Sequence, residues 1–193
     1  MTVVAVGPGD YVMEKRFCSY CGGPTEFAVP AGDTHLRRIC PPCGAVHYEN
    51  PNIVVGCIPE HEDGRLLLCR RAIEPRRGYW TFPAGFMENG ETLEAGAARE
   101  CQEEALAEVT IGSLLAVVNI PDACQVHVFF RARMAGPEFG AGVESLEAHL
   151  VDAKDIPWDD IAFPSTRYAL QQYLTDRETG AQTTHVTTLR RRL

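Results

Sequence analysis

Cys18-Ser-Tyr-Cys21 and Cys40-Pro-Pro-Cys43 constrain this chain more than any other feature, because two C-x2-C pairs with 18 residues between them admit few folds. Each pair makes a tight knuckle offering two sulfurs, and a hairpin between them brings the knuckles together, the arrangement of a tetrahedral four-thiolate zinc site. Gly22 and Gly44 directly follow the second cysteine of each pair, where a knuckle needs a residue that tolerates positive φ. Two disulfides or a redox dithiol are the competing readings. A cytosolic chain with no thioredoxin-like βαβ pattern around either pair disfavours both. Four sulfurs close the coordination sphere, so Cys18, Cys21, Cys40 and Cys43 would hold a structural zinc that folds a segment too poor in core to fold alone. The other cysteines, Cys57, Cys69, Cys101 and Cys124, stand singly in apolar segments and read as small buried hydrophobes.

With 193 residues, the chain can bury one good core plus a small satellite held by something other than apolar burial. Residues 1–16 read as a leader, 17–50 as the stapled mini-domain, 51–175 as a second domain and 176–193 as a polar, Thr-rich tail ending in Arg190, Arg191 and Arg192. In the second domain "IVVGCI" and "RLLLCRR" read as a hairpin turned at Asp63-Gly64. "YWTF" is a further short strand, "FMENGE" a loop and Thr92 to about Ala107 a helix. "EVTIGSLLAVVNI", "QVHVFFRARM" and "EAHLV" are strands, "GPEFGAG" is a glycine-rich loop, and "STRYALQQYLT" is a closing helix with Ser165 as N-cap.

Eighteen Lys and Arg against 26 Asp and Glu leave a formal charge of -8. That balance disfavours nucleic acid and anionic membrane as partners and points to a small or metal-escorted substrate. The apolar start "MTVVAV" is cut by Gly7, Pro8, Gly9 and Asp10 before it reaches signal-peptide length, and no run approaches membrane-spanning length. The expected location is the cytoplasm. Homodimerisation is left open.

"RECQEEALA", Arg99 to Ala107, places three glutamates within five positions. On a helix Glu100, Glu103 and Glu104 are i, i+3 and i+4, so they share one face. The apolar stripe Leu93, Ala97, Cys101 and Ala105 partly overlaps that face and turns Glu104 toward the core. A solvated carboxylate face would be expected to find Lys or Arg partners one turn on, yet none occurs from Glu103 to Ser113. A divalent cation removes the repulsion, and clustered carboxylate oxygens suit Mg²⁺ or Mn²⁺, hard ions that escort substrate phosphates.

Gly85, five residues, Glu91, seven residues, then Arg99-Glu100-Cys101-Gln102-Glu103-Glu104 resembles the Nudix box, G-x5-E-x7-R-E-U-x-E-E-x-G-U with U apolar. The resemblance implies an α/β fold, an α/β/α sandwich with a mixed sheet, here preceded by a small zinc ribbon. It implies a hydrolase that cleaves a nucleoside diphosphate linked to another moiety. By resemblance Glu100, Glu103 and Glu104 hold Mg²⁺ or Mn²⁺, while Glu91 and Arg99 brace the loop against the helix. Leu106 stands where the box has its closing glycine and Ala107 where it has a larger apolar residue. Leucine adopts the left-handed conformation of a helix-ending glycine at a cost of roughly 1 kcal/mol, so the helix is expected to run on by a residue or so.

Hydrolysis needs a base, and Glu103 on the helix is favoured over Glu144 or Glu147 after the glycine-rich loop, which resemble a loop carboxylate used by some members. Of Arg70, Arg71, Arg76 and Arg77, ahead of the box, one or two would contact phosphate oxygens. Arg70 and Arg77 are chosen, with Gly85 and Phe86, as substrate-side residues. The substrate expected is an ADP-linked diphosphate, FAD or ADP-ribose, releasing AMP. "FPAGF" resembles the P-A-G form of ADP-ribose pyrophosphatases, and the S-Q-P-W-P-F-P-x-S block of the NADH-cleaving branch is absent from "VVNIPDACQVHVFF". NADH or a nucleoside triphosphate is the alternative within the class. A zinc-ribbon module that only binds nucleotide or nucleic acid is the alternative outside it.

Overall fold

A computed structural model of the chain describes residues 15–190, so most of the expected leader, and Arg191 and Arg192 of the tail, lie outside the described residues. The chain divides into two compact units between Asn50 and Pro51.

In the first unit β1 (Glu26–Ala28), β2 (Arg37–Ile39) and β3 (Val46–His47) form an antiparallel sheet in that order. One knuckle precedes β1 and the other joins β2 to β3, and the two are built alike. The Gly22 and Gly44 N–H groups donate to the carbonyls of Cys18 and Cys40 at 2.9 and 2.7 Å. Both glycines are left-handed, at φ 72° and 73°, a conformation glycine reaches without strain. Cys18 and Cys40 are the only hydrophobic residues buried among the described residues of this unit.

The second unit runs β4 (Asn52–Glu60), β5 (Leu66–Arg71), β6 (Trp80–Thr81), β7 (Ala84–Phe86), α1 (Leu93–Ala105), β8 (Val109–Ile120), β9 (Gln125–Met134), β10 (Ser145–Val151), α2 (Pro164–Thr179) and β11 (His185–Thr188). The sheet order is β10-β5-β4-β9-β8-β11. It is mixed, since β4 with β9 and β11 with β8 run parallel and the remaining pairs are antiparallel. β4 and β5 meet only at Glu60 and Leu66 and then diverge, and β7 pairs with β4 and β6 with β5 in the fork that opens. That fork sets a short stretch of chain, Ala84 to Phe86, beside the first helix.

Burial on both sheet faces explains why the central strands read as unbroken apolar runs. Leu67, Cys69, Val128 and Phe130 face α1 and pack with Ala97, Cys101 and Ala105. Leu66, Leu68 and Phe129 face the other way and pack with Leu170 and Tyr173 of α2. The sandwich is therefore helix, sheet, helix.

Three expectations change. Cys57, Cys69 and Cys101 are buried, but Cys124 is exposed, at φ 51° on the turn into β9. α2 starts at Pro164 with Phe163 as its N-cap and no side-chain cap bond. Ser165 instead lies in the first turn, 1 % exposed, with its Oγ 3.0 Å from His127 Nδ1. Residues from 176 are not a solvated tail: Asp176 is buried in α2 and pairs with Arg131 of β9 and His185 of β11. The Thr-rich segment closes the sheet edge as β11 because β-branched residues suit a strand that a buried ion pair has docked.

Candidate active site

Helix α1 begins where Thr92, in extended conformation, accepts a hydrogen bond from the Ala95 N–H at 3.2 Å, the usual saturation of a first-turn donor. Its apolar stripe docks on the sheet, and that docking draws two of the three glutamates inward. Glu100 and Glu104 are 8 % and 5 % exposed, whereas the Glu103 side chain is 60 % exposed.

Burial is the first cause of the upward shift of both inner carboxyls: Glu104 is pushed up to about 7, and Glu100 is also raised. Glu104 Oε2 accepts the Ala84 N–H at 3.1 Å, so the strand in the fork supplies a main-chain donor to the helix. Gly85 follows, and a Cβ there would lie 2.5 Å from both Glu100 carboxylate oxygens. No larger residue leaves that carboxylate in place.

Arg99 ties these parts together. It grips Glu91 by two bonds, Nε to Oε2 at 3.0 Å and Nη2 to Oε1 at 2.8 Å, and Nη2 also donates to the Phe86 carbonyl at 3.1 Å. Glu91 Oε1 accepts the Glu88 N–H at 2.7 Å, and Arg99's hydrogen bonds hold its carboxyl down at about 2. Loop and helix are thus clamped through one guanidinium, a bidentate geometry that a lysine could not reproduce. Arg99 Nη1 also reaches Glu100 Oε1 at 2.7 Å and Glu103 Oε2 at 2.9 Å.

The arginines ahead of the box part company. Arg70 and Arg71 are neighbours on a strand and so point to opposite faces. Arg70 pairs with Glu147 at 2.8 Å, and Glu147 also lies 3.0 Å from His149. His149 in turn packs edge-on to Trp80, a residue of the α2-side core. Arg70 and Glu147 occupy the sheet face turned away from α1, so the structure does not bring Glu147 to the helix glutamates. Arg71, 8 % exposed, points instead to the helix side, where its charge lowers Glu104. It donates from Nε to the Pro75 carbonyl at 3.0 Å and lies over the Phe163 ring. Glu144 closes the glycine-rich loop just ahead of β10, where its main-chain carbonyl accepts the Ala72 N–H at 2.8 Å. Arg77 is exposed in the loop between β5 and β6, and Phe86 is 54 % exposed beside the clamp. Strand alternation from Cys69 already separates Arg70 from Arg71, whereas nothing in the sequence reveals the Ala84 N–H.

Among the described residues, the only group of three or more His, Cys, Asp or Glu with ligand atoms all within 4.8 Å is Cys18, Cys21, Cys40 and Cys43. Tyr20 N–H and Gly23 N–H donate to Cys18 and Cys21 Sγ at 3.4 Å each, which supports thiolate charge. Four converging sulfurs with backbone donors fit zinc. The glutamates present hard oxygens, two of them buried with too little positive charge, and this donor set fits Mg²⁺ or Mn²⁺. Neither group touches the cavity of about 430 Å³ lined by Glu60, Arg131, Arg133, Tyr173 and Asp176.

A NUDIX domain family model matches residues 50–173. The chain belongs to the Nudix family. A Nudix N-terminal model, the family's zinc ribbon, matches residues 16–49. The chain is 49 % identical to a NUDIX hydrolase from Nitrosomonas europaea whose crystal structure is known, with a TM-score of 0.87 over 91 % of this chain and 99 % of that one. It is 30 % identical over 166 residues to the NAD-capped RNA hydrolase NudC of Stutzerimonas stutzeri, covering 86 % of this chain and 56 % of the relative. It is 33 % identical over 114 residues to the ADP-ribose pyrophosphatase of Methanocaldococcus jannaschii, covering 57 % of this chain and 67 % of the relative. The chain thus spans little more than half the length of that NudC relative. It is a Nudix hydrolase with a zinc ribbon ahead of its catalytic fold. No helix among the described residues is long and apolar enough to cross a membrane.

Proposed function

We propose that this Nudix hydrolase cleaves the diphosphate bond of an ADP-linked substrate, FAD or ADP-ribose, to release AMP. The observation that carries the reading is the pair of buried carboxylates, Glu100 and Glu104, held against the Ala84 N–H and the Arg99 clamp. Such a pair is costly to bury ionised unless a cation or phosphate-bound metal shares the site. Glu100, Glu103 and Glu104 would hold Mg²⁺ or Mn²⁺, which when bound neutralises phosphate charge and sharpens the acidity of water. Glu103 faces solvent and takes the proton of the attacking water as its oxygen adds to phosphorus. The bridging P–O bond breaks, and AMP and the partner monophosphate leave. Arg71 and the exposed Arg77 would be the phosphate-side cations, and Phe86 offers an open ring beside the Arg99 clamp. Cys18, Cys21, Cys40 and Cys43 would hold structural zinc, and a four-thiolate cluster supports a reducing, cytoplasmic setting.

A second reading, cleavage of NADH or another NAD-linked diphosphate, is favoured by one observation: the NudC relative aligns with 86 % of this chain. Purified protein with Mn²⁺ and equal concentrations of FAD, ADP-ribose, NADH and a nucleoside triphosphate separates the readings by kcat/KM. The first reading expects the two ADP-linked substrates to lead. A tenfold advantage for NADH or the triphosphate over both sinks it. Glu103→Gln is expected to cost roughly a thousandfold or more in kcat with the fold intact, since the change keeps shape at an exposed position. Retained activity in that variant would move the base elsewhere.

A further inference from the structure

The cavity of about 430 Å³ at the C-terminal end of α2 takes no part in the hydrolysis. Its place follows from the strands. Arg133 of β9 pairs with Glu60 of β4 on one side and Thr110 of β8 on the other. Alternation from Ile58 and Phe129, both in the α2-side core, puts Glu60, Arg131 and Arg133 on that same face. Val55, the partner of Gly85 beside the glutamates, lies five residues back along β4, roughly 16 Å away at about 3.3 Å per residue. Helix α1 packs on the opposite face, so the sheet stands between this cavity and the box.

Two features of the chain hold the cavity open. β8 leaves its register with β9 between Ile111 and Leu114, and Gly112 and Ser113 bulge out. Arg131 props the bulge, donating from Nη1 to Ser113 Oγ at 3.2 Å and to the Leu114 carbonyl at 3.0 Å. Bulges re-aim side chains and are common beside binding sites. On the other side α2 stops at left-handed Gly180, φ 71°, and the turn at Ala181 and Gln182 forms the wall in place of more helix.

The charges within do not cancel. Three guanidiniums, of Arg131, Arg133 and Arg177, line the cavity against two carboxylates, of Glu60 and Asp176. Asp176 is taken by Arg131 and His185. Glu60 accepts from Tyr173 Oη at 2.7 Å and lies 3.6 Å from Arg177 Nη1, so both its oxygens are engaged by α2. Arg133 is exposed and makes no ion pair or side-chain hydrogen bond among the described residues. In a chain of formal charge -8, this surplus guanidinium makes the cavity a place where an anion is held.

A phosphate monoester presents paired oxygens to a guanidinium fork. The cavity is far larger than a bare phosphate needs and falls in the range of small-molecule sites, about 300–1,000 Å³. Thr110, Ser113 and Gln182 line the remainder with hydroxyl and amide groups, which suit a hydroxylated body. Its one aromatic ring, Tyr173, is 4 % exposed and tied to Glu60, so no open face is offered to a nucleobase. We propose that this cavity is a second binding site, for a sugar phosphate or similar small hydroxylated phosphate monoester, with Arg133 gripping the phosphate.

The test is a heteronuclear titration of the full zinc-loaded chain, without Mg²⁺ or Mn²⁺, using ribose 5-phosphate as probe and inorganic phosphate and ribose as comparators. Ribose 5-phosphate should shift the Gly112, Ser113 and Gln182 amides saturably while Gly85 and Phe86 stay put. Inorganic phosphate should bind at the same amides about tenfold more weakly or worse, and ribose should not bind. Arg133→Gln should weaken the ester about tenfold or more, as loss of a charge-assisted hydrogen bond does. The exposed position lets that variant fold, which the same spectra check. Shifts confined to Gly85 and Phe86 would send the ester to the catalytic face and overturn the proposal. Equal binding of phosphate and ester would reduce the cavity to a bare anion site and overturn the monoester assignment. Unchanged affinity in Arg133→Gln, or no saturable shift at millimolar ester, would also sink it.

Discussion

The zinc ribbon and the hydrolase unit reach a fold by opposite routes. In the ribbon the buried residues are Cys18, Cys40 and Arg38, while Phe17, Tyr20, Phe27, Leu36 and Tyr48 are each more than 60 % exposed. In the hydrolase unit Val55, Ile58, Leu66, Leu67, Leu68, Phe82 and Leu170 are fully buried. One unit is organised around four sulfurs and the other around two apolar faces of a sheet. Aromatic content therefore says little about where a core will be; what matters is whether a second layer exists to cover it.

The largest expected effect breaks this comparison if it fails. Zinc removal, or Cys40→Ser, should unfold the ribbon, because a structural zinc contributes on the order of 10 kcal/mol to the folding of so small a unit. The hydrolase unit should keep its secondary structure and exchange-protected amides. Heteronuclear spectra of the full chain with and without a zinc chelator read both units at once. Ribbon resonances that stay dispersed without metal would show that its exposed rings carry stability after all.

A middle-sized effect sharpens the other side of the comparison, since burial in the hydrolase unit leaves a titration mark. His127 is 8 % exposed, and burial lowers it from 6.5 to about 4. Its ring nitrogens meet Ser165 Oγ at 3.0 Å and Gln125 Oε1 at 2.9 Å. The unfolded chain binds the proton more tightly, so the neutral ring's full contribution is present above the unfolded value. It falls away as pH drops from about 6.5 toward 4, by up to about 3 kcal/mol. His127→Gln should flatten that limb of the parent's stability curve. Parallel curves for parent and variant between those limits would count against a neutral buried imidazole.

Legibility in the sequence followed the range of the interaction. The cysteine knuckles act at set spacing, and the structure brings their sulfurs together as that spacing suggests, while the Glu91–Arg99 pair implied by the resemblance is joined by hydrogen bonds eight residues apart. What escaped was set by partners far along the chain. Asp176 reads as tail until Arg131, 45 residues earlier, is seen beside it. Ser165 reads as a cap until its tie to His127, 38 residues away, pulls it into the first turn. Ser145 and Glu147 are two apart, yet a register shift between them in β10 pairs them with Arg71 and Arg70, on opposite faces of the sheet. Alternation counted through that shift assigns the wrong face.

The smallest effect concerns the helix end, a feature that among the described residues only the hydrolase unit has. α1 does not run on as expected but ends at Ala105, where the Gly140 and Gly142 N–H groups of the glycine-rich loop donate to the Ala105 and Glu104 carbonyls at 2.8 and 3.0 Å. Leu106→Gly restores the glycine of the box at a left-handed residue that is 50 % exposed. Releasing that backbone should return roughly 1–2 kcal/mol, of which about 0.4–1 is offset by the greater freedom of glycine in the unfolded chain. The net expectation is a gain of roughly 0.5–1 kcal/mol by denaturant titration, with kcat unchanged because the loop bonds at Gly140 and Gly142 use main-chain groups that the substitution leaves alone. The opposite sign is informative. A loss of about 1 kcal/mol or more, well beyond the few tenths typical of exposed positions, would mean that the Leu106 side chain, whose Cδ1 lies 3.5 Å from where a Gly140 Cβ would stand, holds the loop to the helix by packing. In that case kcat should fall with stability, because the loop bonds to the Glu104 and Ala105 carbonyls would loosen with it and free the turn that carries the glutamates.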